Sequence, residues 1–199
     1  MILLLAILVG LLLGVMRAWL GGRKITIPNL KLVWIVPLAF LPQFFAFQLP
    51  VTRTRFPEQW IPLALIVSQL LLLGFAVANL RQPGFKFLTL GLLLNLTVIM
   101  LNGGWMPISP ETIANGAPDA PPGSWEVGSR LGMTKDKILP IESTRLWWLS
   151  DRFLLPDWSP YRAAFSLGDL ILAIGAIWFF WSIAGSSEKS VHLGAKLCL

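Results

Sequence analysis

The sequence predicts an all-α, integral membrane bundle of five transmembrane helices, with one extracytoplasmic insert between helices 4 and 5. Three observations predict it. Five almost uncharged apolar stretches span about 2–16, 32–49, 60–80, 87–101 and 170–184. About twenty apolar residues match a hydrocarbon core about 30 Å thick at 1.5 Å rise per residue. Of the 199 residues, 55% are hydrophobic and 13% charged, against about 25% charged in a soluble domain. The basic residues also segregate by loop. The first connection holds Arg17, Arg23, Lys24 and Lys31, the third Arg81 and Lys86, and the 185–199 tail Lys189 and Lys196. The short second connection sets Arg53 and Arg55 against Glu58, and the insert, 102–165, mixes six basic with seven acidic residues. Positive residues in short loops stay cytoplasmic, and long loops are exempt. The expectation is one transmembrane domain, 1–199, in a bacterial plasma membrane. Its N-terminus and insert lie outside, and its tail inside.

The start of the chain has no positive n-region and no small-residue cleavage site before Arg17, so it reads as a retained helix. Gly10 and Gly14 form a small-xxx-small pair that lets another helix approach, and Gly21-Gly22 breaks the chain. In helix 2, Pro37 and Pro42 each remove a backbone donor and crowd the carbonyls of Val33 and Leu38. A kinked or unwound helix follows, with Gln43 placed to satisfy a freed group. Helix 3 carries Ser68, Gln69 and Asn79 and ends at Arg81-Gln82-Pro83-Gly84, a turn short enough to make helices 3 and 4 an antiparallel hairpin. Helix 4 carries Gly91, Asn95 and Thr97. Asn102-Gly103-Gly104 ends it, as residues tolerating left-handed backbone angles do.

Within the insert, Ser109-Pro110-Glu111 is a helix start, with a cap, a proline and an acid in order. Residues 115–124 read as irregular, and Ser143–Arg152 as a second short helix at the membrane interface, with Leu146, Leu149 and Phe153 on one face and Trp147 and Trp148 beside them. Helix 5 opens on Ser166-Leu167-Gly168-Asp169, a capping box. Tryptophans form two belts: Trp19, Trp34, Trp178 and Trp181 at the inner boundary, Trp60, Trp105 and Trp147 at the outer.

Chemistry is scarce. The single histidine, His192, and the single cysteine, Cys198, both lie in the tail. An internal disulfide, a thiolate or His-rich metal site, a bis-histidine haem and a Ser-His-Asp triad are therefore excluded, and no metal is expected. Mid-span charges, usual in ion-coupled carriers, are missing. The pI of about 10.0 does not indicate nucleic acid, because no basic cluster sits on a soluble face. Asp169 has two readings: a helix cap, or one of a carboxylate pair with Asp151 or Asp157. Arg145 is expected to form a salt bridge near Asp151. The amides of Gln43, Gln69, Asn95 and Asn102 either stitch helices together or contact a pigment, a quinone or lipid. No intrinsic cofactor is expected.

Two stretches carry a resemblance. One is Asn102-Gly103-Gly104-Trp105-Met106-Pro107. The other runs from Ser143-Thr144-Arg145-Leu146-Trp147-Trp148-Leu149-Ser150-Asp151 to Phe165-Ser166-Leu167-Gly168-Asp169-Leu170. Together they resemble an uncharacterised family of small bacterial membrane proteins, the domain of unknown function 5317. The resemblance covers most of the chain and implies the five-span layout, but no activity. The family pattern has a glycine where this chain has Ser150, and a histidine in the insert that this chain lacks. The leading functional expectation is a non-catalytic accessory or scaffold subunit of a larger membrane complex, a respiratory or photosynthetic one being the first class to try. A carrier or flippase for a hydrophobic or lipid solute is the second, motivated by the broken helix 2. An enzyme acting on a lipid-linked substrate through Asp151 and Asp169 is the third. Membrane lipid and other membrane subunits are the expected partners.

Overall fold

The computed structural model describes residues 2–26, 28–49, 57–121, 123–156, 159 and 162–184. Arg53, Arg55, Asp157 and the tail bearing Lys189, His192, Lys196 and Cys198 lie outside the described residues.

Most of the chain is helical. Helix α1 spans Ile2–Gly21, α2 Ile35–Gln43, α3 Ile61–Ala78, α4 Phe85–Leu101, α5 Pro110–Gly116 and α6 Leu167–Ser182. Two segments, Ile2–Gly21 and Glu58–Ala78, are long and apolar enough to cross a membrane, while Ile35–Phe47, Phe85–Leu101 and Leu167–Ser182 are apolar but shorter. Four short strands correct the all-α expectation: β1 Met106–Ile108, β2 Asp136–Ile138, β3 Phe153–Leu154 and β4 Ala164–Phe165. β1 and β2 pair in parallel, and β3 and β4 antiparallel. The physical reason is that the insert's apolar residues are few and scattered. Pairing β1 with β2 buries Ile108 and Ile138 beside Ile113, a small core that one helix face could not build.

The five apolar helices stand in a row, in the order α1, α6, α4, α3, α2. In α1 the buried residues are Ala6, Gly10, Gly14 and Ala18, one small residue per turn. A Cβ on Gly10 would lie 2.9 Å from the Ile177 Cα, and one on Gly14 would strike the Phe180 carbonyl. Arg17 extends α1 past the predicted boundary. Its guanidinium donates to the Trp181 carbonyl at 3.1 Å and stacks on the Trp181 ring. Between α4 and α6 the glycines meet antiparallel: Gly84 faces Gly175, and Gly91 faces Gly168.

Pro37 falls in the first turn of α2, where a missing N–H has no partner to lose, so it makes no kink. Pro42 does: after Gln43 the chain passes into a π-helical turn, Phe44–Gln48. The Ser68 hydroxyl of α3 donates to the Ala39 carbonyl and accepts from the Gln43 side chain at 2.8 Å.

Residues 22–34 return from α1 to α2 across one end of the row. Thr26 N donates to the Ile183 carbonyl at 2.9 Å, Leu30 packs on the Ala76–Phe85 cluster, and Lys31 exchanges backbone hydrogen bonds with the Asn79 side chain at 2.8 and 2.9 Å. Residues 102–165 cover the other end. There Leu146 takes a left-handed φ of 53°, so the expected helix over 143–152 is instead two 3₁₀ turns, Ile141–Ser143 and Trp147–Leu149. Phe153 leaves that face altogether and pairs with Phe165 in the β3–β4 ladder. Trp105 is also no belt residue: it is 7% exposed and packs with Ile61 and Leu65.

Candidate functional site

The polar side chains converge where α4 ends, α6 begins and the 102–165 segment lies over both. Ser166 caps α6. Its hydroxyl accepts from Asp169 N at 3.0 Å, and the Asp169 carboxylate accepts from Ser166 N at 3.4 Å. Asn95, facing them from α4, completes the box. Its amide donates to Asp169 Oδ1 at 2.7 Å, and its oxygen accepts from the Ser166 hydroxyl at 2.9 Å. Gly168 makes this possible, because a Cβ there would strike the Asn95 side-chain oxygen. Asn95 and Ser166 are buried, and each has a partner, as buried polar groups require.

Above this box sits an ion pair with a buried carboxylate and a part-exposed ammonium. Asp151, 1% exposed, accepts from Lys135 Nζ at 2.6 Å, and Lys135 also reaches Asp136 at 3.2 Å. Asp151 N is fixed by the Pro107 carbonyl at 3.1 Å, which ties the pair to β1. Burial pushes the Asp151 carboxyl up, the Lys135 ammonium pulls against it, and the Asp136 and Asp169 charges add to the rise. Desolvation opposes the Lys135 charge, but Asp136, Asp151 and Asp169 more than offset it and hold its proton more tightly than usual. Asp151 Oδ1 is buried with no partner.

The expected site residues divide accordingly. Ser166, Gly168, Asp169 and Asn95 form one network. Met106 and Pro107 belong to β1, under Asp151. Asn102 pins the 145 backbone: its amide donates to the Arg145 carbonyl at 2.9 Å and its oxygen accepts from Arg145 N at 3.0 Å. Arg145 is exposed and joins the fold through that backbone, so the expected Arg145–Asp151 bridge is replaced by Lys135–Asp151. Gly103, φ 72°, sets a left-handed turn in which Gly104 N returns to the Ile99 carbonyl at 2.8 Å. Gly104, φ 85°, abuts Pro62 at the start of α3. Gly10, Gly14, Pro37, Pro42 and Gln43 lie elsewhere, in the helix contacts described above. Gln69 keeps a buried side-chain oxygen without a partner. Lys135 escaped sequence reasoning because Lys135-Asp136-Lys137 looks like a solvated run. No sequence signal singled it out, because Arg145, six residues from Asp151, was the nearer candidate.

Among the described residues no group of three His, Cys, Asp or Glu could hold a metal. A cavity of about 560 Å³ lies in the 102–165 segment against Ile108, Ile113, Leu131 and Leu154, with Arg162 at its edge. An apolar groove of about 400 Å³ lies beside Pro42, Trp60 and Leu63. Neither includes a residue of the network.

The features that this geometry explains, the Asn102-Gly103-Gly104 turn and the Ser166–Asp169 box, fall within a region, residues 28–181, that matches the model of a family of unknown function, DUF5317. The chain belongs to this family. An uncharacterised protein of Thermotoga maritima is 27% identical over 142 residues, covering 68% of this chain and 72% of the relative. No solved structure matches. The family therefore places the chain among its relatives without bringing a reaction to it.

Proposed function

We propose that this member of the family is a multi-pass protein of the bacterial plasma membrane. It would have five spans, an outer N-terminus and insert, and an inner tail, and would serve as a non-catalytic subunit or scaffold. Ile2–Gly21 and Glu58–Ala78 support this, being long and apolar enough to cross; Phe85–Leu101 and Leu167–Ser182 rise about 25 Å and Ile35–Phe47 about 20 Å, so these three require a thinned or adapted bilayer. One observation carries the subunit reading. The row is one helix thick, and large apolar side chains such as Leu8, Leu12, Phe45, Leu63, Leu93 and Ile174 remain exposed along it. The polar groups that could do chemistry, Asp151, Asp169 and Asn95, are instead engaged in holding helix ends and insert together. Native gel electrophoresis of mildly solubilised membranes tests the proposal. Migration in a larger assembly is expected, and migration as a monomer overturns it.

A second reading has its own support. The groove beside Pro42, next to the π-helical turn, fits a carrier for a hydrophobic solute. It requires that flux of a lipid probe in vesicles depend on Pro42, and flux unchanged in Pro42→Ala removes it.

A further inference from the structure

We propose that the end of the row crossed by residues 22–34 is a binding surface for anionic phospholipid headgroups, built from Arg23, Lys31, Arg81 and Lys86. The proposal rests on the membrane reading, not on the subunit reading.

In the sequence these cations belong to two separate connections. The fold brings them to one face. Residues 22–34 run from the end of α1 past the end of α6, through Thr26 and Ile183, to the end of α3, where Lys31 is held by Asn79. That contact sets Lys31 beside the turn bearing Arg81, since Asn79 also receives Gln82 N at 2.8 Å. Lys86 opens α4 next to Phe87, whose ring contacts that of Trp178 at 5.5 Å. Among the described residues, segments 17–26, 28–34, 79–88 and 176–184 at this end contain no Asp or Glu. At the opposite end, by contrast, Lys135 faces two carboxylates.

The indoles decide between a lipid and an acidic protein. Trp19 is 81% exposed, Trp34 62% and Trp178 50%, all on helix ends of this face. Tryptophan rests at headgroup level, so cations at the same height meet phosphates. Exposed Leu20, Ile25, Leu32 and Val33 continue the apolar surface among the charges, where an acidic peptide would want polar neighbours. Arg17 is left out of the surface because it is committed to Trp181.

The test is native mass spectrometry of the full chain in mild detergent, titrated with phosphatidylglycerol and with phosphatidylcholine of matched tails. Phosphatidylglycerol should bind at least about ten-fold more tightly, with a preference that shrinks as salt rises. Arg23→Gln/Arg81→Gln/Lys86→Gln should weaken it on the order of 100-fold, at about five-fold per cation. The insert triple Lys137→Gln/Arg145→Gln/Arg162→Gln should leave it unchanged. Equal affinity for the two lipids, or an equal loss in both triples, overturns the proposal. So does displacement of the lipid by millimolar inorganic phosphate, or tighter binding of an oligoglutamate peptide. Incorporation into phosphatidylcholine vesicles is scored in parallel, so failure of the membrane reading shows separately.

Discussion

The α4–α6 seam closes on glycines, and the α2–α3 seam closes on a hydroxyl. In the first, Gly84 meets Gly175 and Gly91 meets Gly168, so the backbones touch at those levels, while Phe85, Leu92, Leu172 and Phe179 fill the space between them. The polar box of Asn95, Ser166 and Asp169 locks that seam at one end, under the Lys135–Asp151 pair. In the second seam a proline has already broken the helix, and Ser68 and Gln43 supply partners where the ladder is interrupted. In the membrane setting proposed above, lipid would give no hydrophobic drive to either contact, so close packing and internal hydrogen bonds would do the work. The first seam uses both devices, and the second relies chiefly on one. The α4–α6 side is accordingly the rigid part of the row.

Four single substitutions and one double variant sharpen that contrast, each read as the unfolding free energy or melting point of the full chain in mixed micelles. Lys135→Met should have the largest effect, roughly 3–5 kcal/mol, because it strands a buried carboxylate. The loss should depend on pH. Burial already lifts the Asp151 carboxyl, and removing the ammonium lifts it further. A carboxyl whose folded value lies above its unfolded one favours the folded state most when protonated. The variant should therefore regain stability as pH is lowered toward the ordinary carboxylate range and lose it again on the return. Adding Asp151→Leu should restore stability and abolish that pH dependence, and a persistent loss would show that the pair matters for more than its charge. Gly168→Val should cost about 1–3 kcal/mol by pushing α6 off Asn95. An unperturbed melting point would mean that the seam is looser than described. Asn95→Ala should cost about 1–2 kcal/mol and loosen the first turn of α6, visible as faster amide exchange there. Ser68→Ala should be mildest, about 0.6 kcal/mol, with faster exchange confined to 39–48. A Ser68 effect exceeding that of Gly168→Val would reverse the ranking of the two seams.

Much of this was legible beforehand where the physics is local. The Ser166–Asp169 box, the Ser109 cap and the Gly103 turn follow from residues within a few positions of one another, and the model shows each one. The Pro42 break was readable from the missing donor, but Pro37 was misplaced because its effect depends on where the helix starts. The 143–152 segment reads as a helix by spacing, yet Asn102, some forty residues earlier, holds the Arg145 backbone, and Leu146 turns left-handed beside it. Trp105 looked like a belt residue until the Gly104 turn laid it on α3.

Composition and local pattern alone determined the apolar stretches, most of their ends and the scarcity of reactive groups. Each depends on side-chain chemistry or on hydrogen bonds a few residues long, which any chain carries before it folds. Only the tertiary structure decided that Gly10 and Gly14 face α6, that Lys135 neutralises Asp151, that Asn95 completes a distant cap, and that Asn79 holds Lys31 beside the Arg81 turn. Those pairings join residues tens of positions apart. Their partners are chosen by which helices stand side by side, and this is a property of the packed row.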